Sequence, residues 1–309
     1  MQYLIQYFRG FCMALADSVP GVSGGTVAFI LGFYDQFITS LNNIIFGTKA
    51  EKKESFFFLI QLGFGWIIGM IIASLILSSL FEQHIYAVSS LFLGFIIFSI
   101  PFMIKEEKSS LKGKYKNIIF SILGIAIVAL ITYFNPVSNG GNVVNIKNLN
   151  LGLAIYIFVS AMIAISAMVL PGISGSTLLL IFGLYLPIMK AIKEFLHFNF
   201  SYFPSLLLFG LGILTGIILV IKLIKVALQK YRSQTIYLII GLMIGSLYAI
   251  IMGPTTLEVA KRPMSLSNFY FIWFILGGVI ILGLEKSKKI LEQKKITSKS
   301  SKRSQSRCL

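Results

Sequence analysis

The sequence predicts an all-α polytopic membrane protein made of two inverted-topology repeats, each a re-entrant helical hairpin followed by three transmembrane helices. Three observations predict it: long apolar runs, a duplicated Gly- and Ser-rich signature, and basic residues concentrated in alternate connections. Of the 309 residues, 56% are hydrophobic and only 12% are charged, with a mean hydropathy of +0.86. Soluble domains contain about 25% charged residues, so this composition excludes an ordinary soluble domain.

Seven apolar runs have the length of membrane-spanning helices. Each contains about 17–24 residues, which as a helix crosses a hydrocarbon core of about 30 Å. Their Gly-, Ile-, Leu- and Phe-rich composition suits helices that satisfy their own backbone hydrogen bonds in lipid. The runs cover residues 57–80, 86–104, 117–134, 150–170, 204–224, 235–252 and 268–284.

The strongest internal signal is a signature that occurs twice. The segment PGVSGGTVAFILGFY, from Pro20 to Tyr34, returns as PGISGSTLLLIFGLY, from Pro171 to Tyr185, with eight of fifteen positions identical at an offset of 151. Weaker matches follow at an offset of 147 and join Gly63, Gly65, Gly69, Gly94 and Ser99 to Gly210, Gly212, Gly216, Gly241 and Ser246. The triplet Ile-Leu-Gly that ends at Gly124 also returns at Gly277. Such self-similarity indicates a duplicated structural unit.

The duplication divides the chain into four segments. These are a first membrane repeat, 1–134, a polar connector, 135–148, a second membrane repeat, 149–285, and a basic tail, 286–309. Each half begins with a hairpin of short, Gly- and Pro-interrupted helices, which points to discontinuous helices that meet near the middle of the membrane. Whether the hairpin re-enters or spans twice, each half crosses the membrane an odd number of times. The second half is therefore expected to be inverted.

Basic residues predict the orientation of the chain. Most of the 27 Lys and Arg residues lie in the connections 49–53, 105–116 and 222–232 and in the tail, which share one side if the spans alternate. The positive-inside rule places these segments, and both termini, in the cytoplasm. The connector 135–148 is then extracellular. The net charge of +16 is explained by topology, so we expect no nucleic-acid partner.

The PGxSG[GS]T signature lies where one helix ends and another begins. It places hydroxyl groups at the start of the second helix, from Ser23 and Thr26 in the first copy and from Ser174, Ser176 and Thr177 in the second. Free N–H groups at a helix N-terminus can bind an anion, and two inverted copies could present two such ends to one anion. The alternative is that the hydroxyls only cap helices and the glycines only allow close packing.

Ionisable residues at membrane depth are few, and such residues are usually functional. Arg9 could neutralise a phosphate, or it could extend its charge to the cytoplasmic surface. Asp17 corresponds to Met168 in the second half, so the fold does not require an acid there. It could bind a coupling ion, a proton or sodium, or it could orient the turn. Because burial and a nearby anion both favour a neutral carboxyl, a proton is the better partner.

No catalytic or metal signature accompanies these residues. The sequence has no nucleophile near a His, no carboxylates paired at a useful spacing, no phosphate-binding lysine loop and no cofactor motif. His84 and His197 are each alone in short connections, so no metal site is predicted. We therefore expect a protein that is not an enzyme and that needs no cofactor beyond a possible coupling ion.

The two signatures resemble those of the PopT-type polyprenyl-phosphate transporters, a bacterial family formerly described as a domain of unknown function. In the first half the resemblance rests on Arg9-Gly10, on ALADSVPGVSGGT from Ala14 to Thr26, and on Gly32 and Tyr34. In the second half it rests on AISAMVLPGISGST from Ala164 to Thr177, followed by Gly183 and Tyr185. The resemblance covers nearly the whole chain except the basic tail.

The resemblance implies an inverted-repeat fold with re-entrant helices in the bacterial plasma membrane. It also implies a flippase that returns undecaprenyl phosphate from the outer to the inner leaflet, which recycles the lipid carrier of cell-wall synthesis. Carried over residue by residue, the headgroup site has one set of residues from each turn, with Arg9 and Asp17 beside it. The sets are Gly21, Ser23, Gly24, Gly25 and Thr26, and Gly172, Ser174, Gly175, Ser176 and Thr177.

Three other functions are compatible with parts of this pattern. An anion channel or ion-coupled anion exchanger would use the same paired helix ends, but it needs a polar path, and the spans carry few polar residues. A polyprenyl-diphosphate phosphatase would need acidic, basic and His groups together at the membrane surface, and these do not cluster in the sequence. A passive scramblase also fits, because energy coupling leaves no plain sequence signal.

Overall fold

The computed structural model of the chain describes residues 2–17, 23–72, 78–133, 145–147, 149–175, 178–179, 182–256 and 261–283. Within these ranges every regular element is helical. Most of the predicted connector 135–148 and all of the predicted tail 286–309 lie outside the described residues. Three predicted site residues, Gly21, Ser176 and Thr177, also lie outside them.

The described helices are distributed over both halves of the chain. In the first half they are α1 (Gln2–Asp17), α2 (Gly24–Ile30), α3 (Tyr34–Phe46), α4 (Lys49–Ile72), α5 (Ser78–Glu106), the single turn α6 (Lys108–Leu111) and α7 (Ile118–Tyr133). In the second half they are α8 (Leu151–Val169), α9 (Tyr185–Leu196), α10 (Phe203–Lys230), α11 (Arg232–Met252) and α12 (Phe271–Gly283). Short 3-10 turns occupy Tyr115–Asn117, Phe200–Tyr202, Gly253–Thr256 and Leu266–Asn268.

Six helical segments among the described residues are long and apolar enough to cross a membrane, which confirms a polytopic membrane protein. They are Lys49–Ile72, His84–Glu106, Tyr115–Tyr133, Leu151–Val169, Phe200–Lys230 and Arg232–Thr255. The seventh predicted run corresponds to α12, whose described part is a shorter apolar helix. Large apolar side chains such as Phe64, Ile68 and Leu219 are exposed along these helices, as expected for surfaces that face lipid.

Helix α4 begins at Lys49, earlier than the apolar run that starts at residue 57. The Thr48 hydroxyl accepts from the Glu51 backbone N–H, and the Glu51 carboxylate accepts from the Thr48 backbone N–H at 2.8 Å. This reciprocal pair is a capping box, which satisfies two N–H groups at the start of a helix. The polar first turns of α4 are therefore helical although they carry no apolar signal.

Each copy of the signature contains a glycine in the left-handed region, Gly32 in the first and Gly183 in the second. Helix α2 has seven residues and ends before Gly32, whose φ is 68°. The Phe33 N–H donates to the Ala28 carbonyl at 3.0 Å and closes this turn. In the second copy Gly183 has a φ of 64°, and the Leu184 N–H donates to the Leu179 carbonyl at 2.9 Å. A helix of seven residues is about 10 Å long and does not cross a bilayer.

Glycines allow three pairs of long helices to pack with their backbones in contact. The pairs are α1 with α4, α8 with α10, and α7 with α11. A Cβ atom on Gly65 would overlap the Tyr7 carbonyl, and one on Gly241 would overlap the Ser121 carbonyl. Larger residues at these positions would push the helices apart, which is how small residues favour helix association in membranes.

One end of the bundle carries a group of ion pairs. Arg232, at the start of α11, donates to Asp35 of α3 at 2.9 Å and also pairs with Glu107, the residue that follows α5. Asp35 is 53% exposed. The start of α3, the end of α5 and the start of α11 therefore lie at the same end, which we call the basic end.

Candidate functional site

The first turn of the candidate site is built by Ser23 and Thr26. Ser23 has extended backbone angles and is the N-cap of α2, where its hydroxyl accepts from the Thr26 N–H at 3.3 Å. The two hydroxyl oxygens are 3.1 Å apart, and both side chains are buried. Gly24 and Gly25 form the first residues of α2 between them. The capping role considered from the sequence is thus present at Ser23.

The second turn follows the end of α8 and is less completely described. Gly172 has a φ of 90°, a conformation that favours glycine. A Cβ atom there would lie 2.5 Å from the backbone of Leu242 on α11, so the position also lacks space. Ser174 is buried and Gly175 is helical. The turn is therefore held tightly against the second half of the chain.

The structure brings the two turns into direct contact. The Gly172 N–H donates to the Thr26 hydroxyl at 2.8 Å, and the Ser23 hydroxyl donates to the Leu170 carbonyl at 3.3 Å. A Cβ atom on Gly25 would lie 2.9 Å from the Val169 carbonyl oxygen. Residues that are about 150 positions apart in the chain thus share one buried polar centre, between hydrophobic elements of both halves.

Tyr34 adds a further bond between the halves. Its side chain is buried, and its hydroxyl donates to the Val169 carbonyl at 3.1 Å. The sequence signature ends at Tyr34, but the signature alone does not indicate a role for the hydroxyl. The repetition of this Tyr at position 185 is the sequence feature that could have indicated a role for it.

Asp17 lies at the end of α1, against the start of α2. Its Oδ1 accepts from the Gly24 N–H at 2.6 Å, and its Oδ2 accepts from the indole Nε1 of Trp66 at 2.9 Å. A Cβ atom on Gly24 would lie 2.7 Å from the carboxylate, so glycine is needed for this contact. Trp66 was not recognised from the sequence, because it is a single aromatic residue in an apolar run.

Arg9 lies apart from the two turns. Helix α1 is continuous from Gln2 to Asp17, so Arg9 is eight residues, or about 12 Å, before Asp17. Its guanidinium group lies 4.6 Å from the centre of the Phe33 ring and donates to the Gln6 side chain at 3.2 Å. Among the described residues its hydrogen-bond partner is therefore a neighbour on the same helix, not a member of either turn.

The centre contains groups that can bind a polar ligand. It offers hydroxyl groups, backbone N–H donors and one carboxylate. No group of three His, Cys, Asp or Glu side chains that could hold a metal ion occurs in the described part of the chain. Such a centre can bind a small polar or charged group if the hydrogen bonds between the two turns are replaced by hydrogen bonds to that group.

Comparisons with known proteins agree on one family. Residues 13–268 match the family model described as VCA0040-like: Undecaprenyl phosphate translocase-like. A Staphylococcus aureus protein named "Polyprenyl-phosphate transporter" is 39% identical over 285 residues, which cover 90% of this chain and 93% of that protein. A Vibrio cholerae protein of the same name is 32% identical over 257 residues, covering 80% of this chain and 77% of that protein.

No solved structure matches the chain. The matched range contains both turns, Asp17, Trp66 and Tyr34, and it includes the six described helical segments that are long enough to span a membrane. This is a family of transporters and not of enzymes. The chain belongs to the undecaprenyl phosphate translocase-like family of membrane proteins.

Proposed function

We propose that this chain transports polyprenyl phosphate, moving undecaprenyl phosphate from the outer to the inner leaflet of the bacterial plasma membrane. One observation carries the proposal: the turns of the two halves form a shared polar centre through Thr26 and Gly172. The substrate class comes from the relatives, which cover at least 80% of this chain. A lipid phosphate suits such a centre because its head needs polar contacts while its long tail can stay in the bilayer.

The proposal includes an inverted repeat, with a first half at 1–134, a connector at 135–148 and a second half at 149–285. It is supported by close contacts that recur at the sequence offsets. In each half the first helix packs on the next long helix, α1 on α4 and α8 on α10, and glycines of the second helix meet carbonyl groups of the first. The pairs are Gly65 with Tyr7 and Gly69 with Phe11, then Gly212 with Phe158 and Gly216 with Met162.

The remaining long helices support the same symmetry by packing across the halves. Helix α5 of the first half packs on α12 of the second, and α11 of the second half packs on α7 of the first. A Cβ atom on each of four glycines would overlap or crowd a carbonyl group of the partner helix. The pairs are Gly94 with Phe274 and Gly277 with Leu91, then Gly241 with Ser121 and Gly124 with Leu238. Halves related by a two-fold axis pack reciprocally in this way.

We propose that the phosphate binds between the two turns. The Ser23 hydroxyl and the Gly172 N–H already donate across this boundary, to Leu170 and Thr26. A phosphate has several acceptor oxygens and could take over both donors when the turns separate. The proposed headgroup site also contains the turn residues that lie outside the described ranges. Its members are Gly21, Ser23, Gly24, Gly25, Thr26, Gly172, Ser174, Gly175, Ser176 and Thr177.

We further propose that Asp17 carries the coupling ion, with a proton as the expected ion. Its carboxylate lies against Gly24, a member of the headgroup site, so it would repel a phosphate there unless neutralised. Arg9 is too far along α1 to pair with it. We assign Arg9 to a position on the path of the headgroup between the turns and the basic end.

The orientation follows from charge. Arg232, Asp35 and Glu107 mark one end of the bundle, and the basic connections 49–53, 105–116 and 222–232 adjoin it. The positive-inside rule makes this end cytoplasmic, with both termini and the tail 286–309 on the same side. Substrate released there reaches the inner leaflet.

Reconstitution in liposomes tests the function and separates it from the channel alternative. Polyprenyl phosphate is incorporated, and the fraction of its phosphate that an external phosphatase can reach is followed with time. We expect faster exchange between leaflets than in protein-free vesicles, and no flux of chloride or inorganic phosphate. Anion flux without lipid movement would favour an anion channel or exchanger and contradict the proposal.

A further inference from the structure

The Asp17 side chain accepts a hydrogen bond at each oxygen, and the two donors come from different helices. One is the Gly24 N–H of α2 at 2.6 Å, and the other is the Trp66 indole N–H of α4 at 2.9 Å. An ionised carboxylate is acceptor-only and fits two N–H donors, whereas a neutral carboxyl carries an O–H that cannot face an N–H. The two donors therefore favour the carboxylate form.

The described charged groups around Asp17 are distant. Helices α2 and α8 carry no charged side chain, and those of α4 lie in its first turns, 49–54. On α1 itself, Arg9 stacks on Phe33, and the Cys12 thiol lies five residues before Asp17. On α3, Asp35 pairs with Arg232 at the basic end. Among the described residues, the two N–H donors therefore provide the direct compensation for the carboxylate charge.

The second half shows that the hairpin can be built without this arrangement. At the sequence offsets, Asp17 corresponds to Met168 and Trp66 corresponds to Ile213. The Met168 side chain lies 3.0 Å from a Cβ placed on Gly175, just as Asp17 lies against Gly24. The acid and its indole donor are thus both replaced by apolar residues in the other copy. Their joint presence in one half points to a role beyond packing.

We propose that Trp66 is a positioning residue for proton-linked transport, holding Asp17 as the carboxylate until a proton displaces one of its two N–H donors. This rests on the proposed function, in which Asp17 carries the proton. The proton comes from water and binds one carboxyl oxygen, so either the Gly24 or the Trp66 N–H loses its acceptor. When Gly24 is released, its N–H becomes available in the first turn, where the headgroup is proposed to bind.

Proton and lipid are then coupled. A phosphate that takes the Gly24 N–H removes a donor from the carboxylate and makes a proton bind more easily. By linkage, the proton favours the phosphate to the same extent. Loss of the Trp66 N–H should also favour the protonated form of Asp17, whether or not a phosphate is bound. Trp66 thus sets the pH at which transport responds.

The chain offers a direct spectroscopic test, because it contains two tryptophans and Trp273 is on the exposed face of α12, 43% accessible. In the Trp273→Phe variant, Trp66 is the single reporter. Its emission should change with pH along one titration, and addition of polyprenyl phosphate should move the midpoint to higher pH. The same variant with Asp17→Asn should show no titration. Equal titrations with and without Asp17, or none in either, would overturn the proposal.

Measurement of lipid transport provides a second test. Trp66→Phe keeps an aromatic ring but removes the donor, and the midpoint of the pH profile of lipid flipping should rise by about one pH unit, the equivalent of one hydrogen bond to a charged group. Trp273→Phe should leave the profile unchanged. An unshifted profile in an active Trp66→Phe protein contradicts the role of Trp66. A protein that shows the Asp17-dependent titration but moves no lipid contradicts the proposed function and leaves the Trp66–Asp17 unit standing.

Discussion

The Thr26 hydroxyl oxygen lies 2.8 Å from the backbone nitrogen of Gly172, and this hydrogen bond joins the turn of one half to the turn of the other. Thr26 is almost fully buried, and its hydroxyl also lies 3.1 Å from that of Ser23. The contact is therefore shielded from water and links segments 146 residues apart. Any movement that separates the turns has to break it.

Removing this acceptor should destabilise the resting structure. In Thr26→Val the side chain keeps its shape, but the buried Gly172 N–H loses its acceptor, which costs about 1–3 kcal/mol. We expect a lower unfolding temperature in detergent. Thr26→Ser retains the hydroxyl and should recover most of the loss. A Thr26→Val protein as stable as the wild type would show that the bond contributes nothing.

Close helix packing predicts different outcomes for neighbouring glycines. Gly65→Ala should destabilise the protein, because the new Cβ would overlap the Tyr7 carbonyl, whereas Gly63→Ala should be tolerated because nothing lies within 4 Å of its Cβ position. The same contrast is expected between Gly212→Ala and Gly210→Ala in the second half. Unfolding temperatures of the four variants provide the measurement. Similar values for Gly65→Ala and Gly63→Ala would contradict the packing described for α1 and α4.

The two acidic partners of Arg232 should not be equivalent. Glu107 is 15% exposed while Asp35 is 53% exposed, and an exposed ion pair contributes only about 0–1 kcal/mol. We expect Glu107→Gln to lower the unfolding temperature more than Asp35→Asn. The effect of Asp35→Asn should also vanish at high salt, since exposed charges are screened. A larger loss for Asp35→Asn would reverse this ranking.

The proposed topology can be tested by labelling single cysteines in a variant that lacks Cys12 and Cys308. We choose exposed positions, Glu51, Lys112 and Lys230 for the basic end, and His84, Lys147 and Phe198 for the other. In intact cells, a membrane-impermeant reagent should label the last three and not the first three. Labelling of Lys112 and Lys147 from the same side would show that α7 does not cross the membrane and would contradict the proposed topology.

Much of the fold was predictable because lipid imposes a simple requirement on sequence. Six of the seven apolar runs correspond to helices long enough to span a membrane. The duplicated signature also identified the two turns, which are in contact in the structure. Boundaries were less predictable where polar residues are helical, as in the first turns of α4, because a capping box carries no apolar signal.

Side-chain partners that are far apart in sequence could not be predicted from one chain. Trp66 is 49 residues from Asp17, and Arg232 is 125 residues from Glu107. Neither pair has a spacing that a helix or a turn would explain. Arg232 was recognised only as part of the basic connection 222–232. Its pairing with Glu107 depends on how the two halves pack, which sequence periodicity does not specify.

The central claim is that one lipid headgroup binds between the two turns, and the most direct measurement is the affinity of the purified protein for polyprenyl phosphate. The test variant combines Ser23→Ala and Ser174→Ala, one hydroxyl from each turn. The matched control combines Ser99→Ala and Ser246→Ala, two buried serines that bond within their own helices at 2.8 Å. A hydrogen bond to a charged group is worth about 1.5–3 kcal/mol, so we predict at least a tenfold weaker affinity for the test variant and no change for the control. Wild-type affinity in a folded test variant would contradict the account.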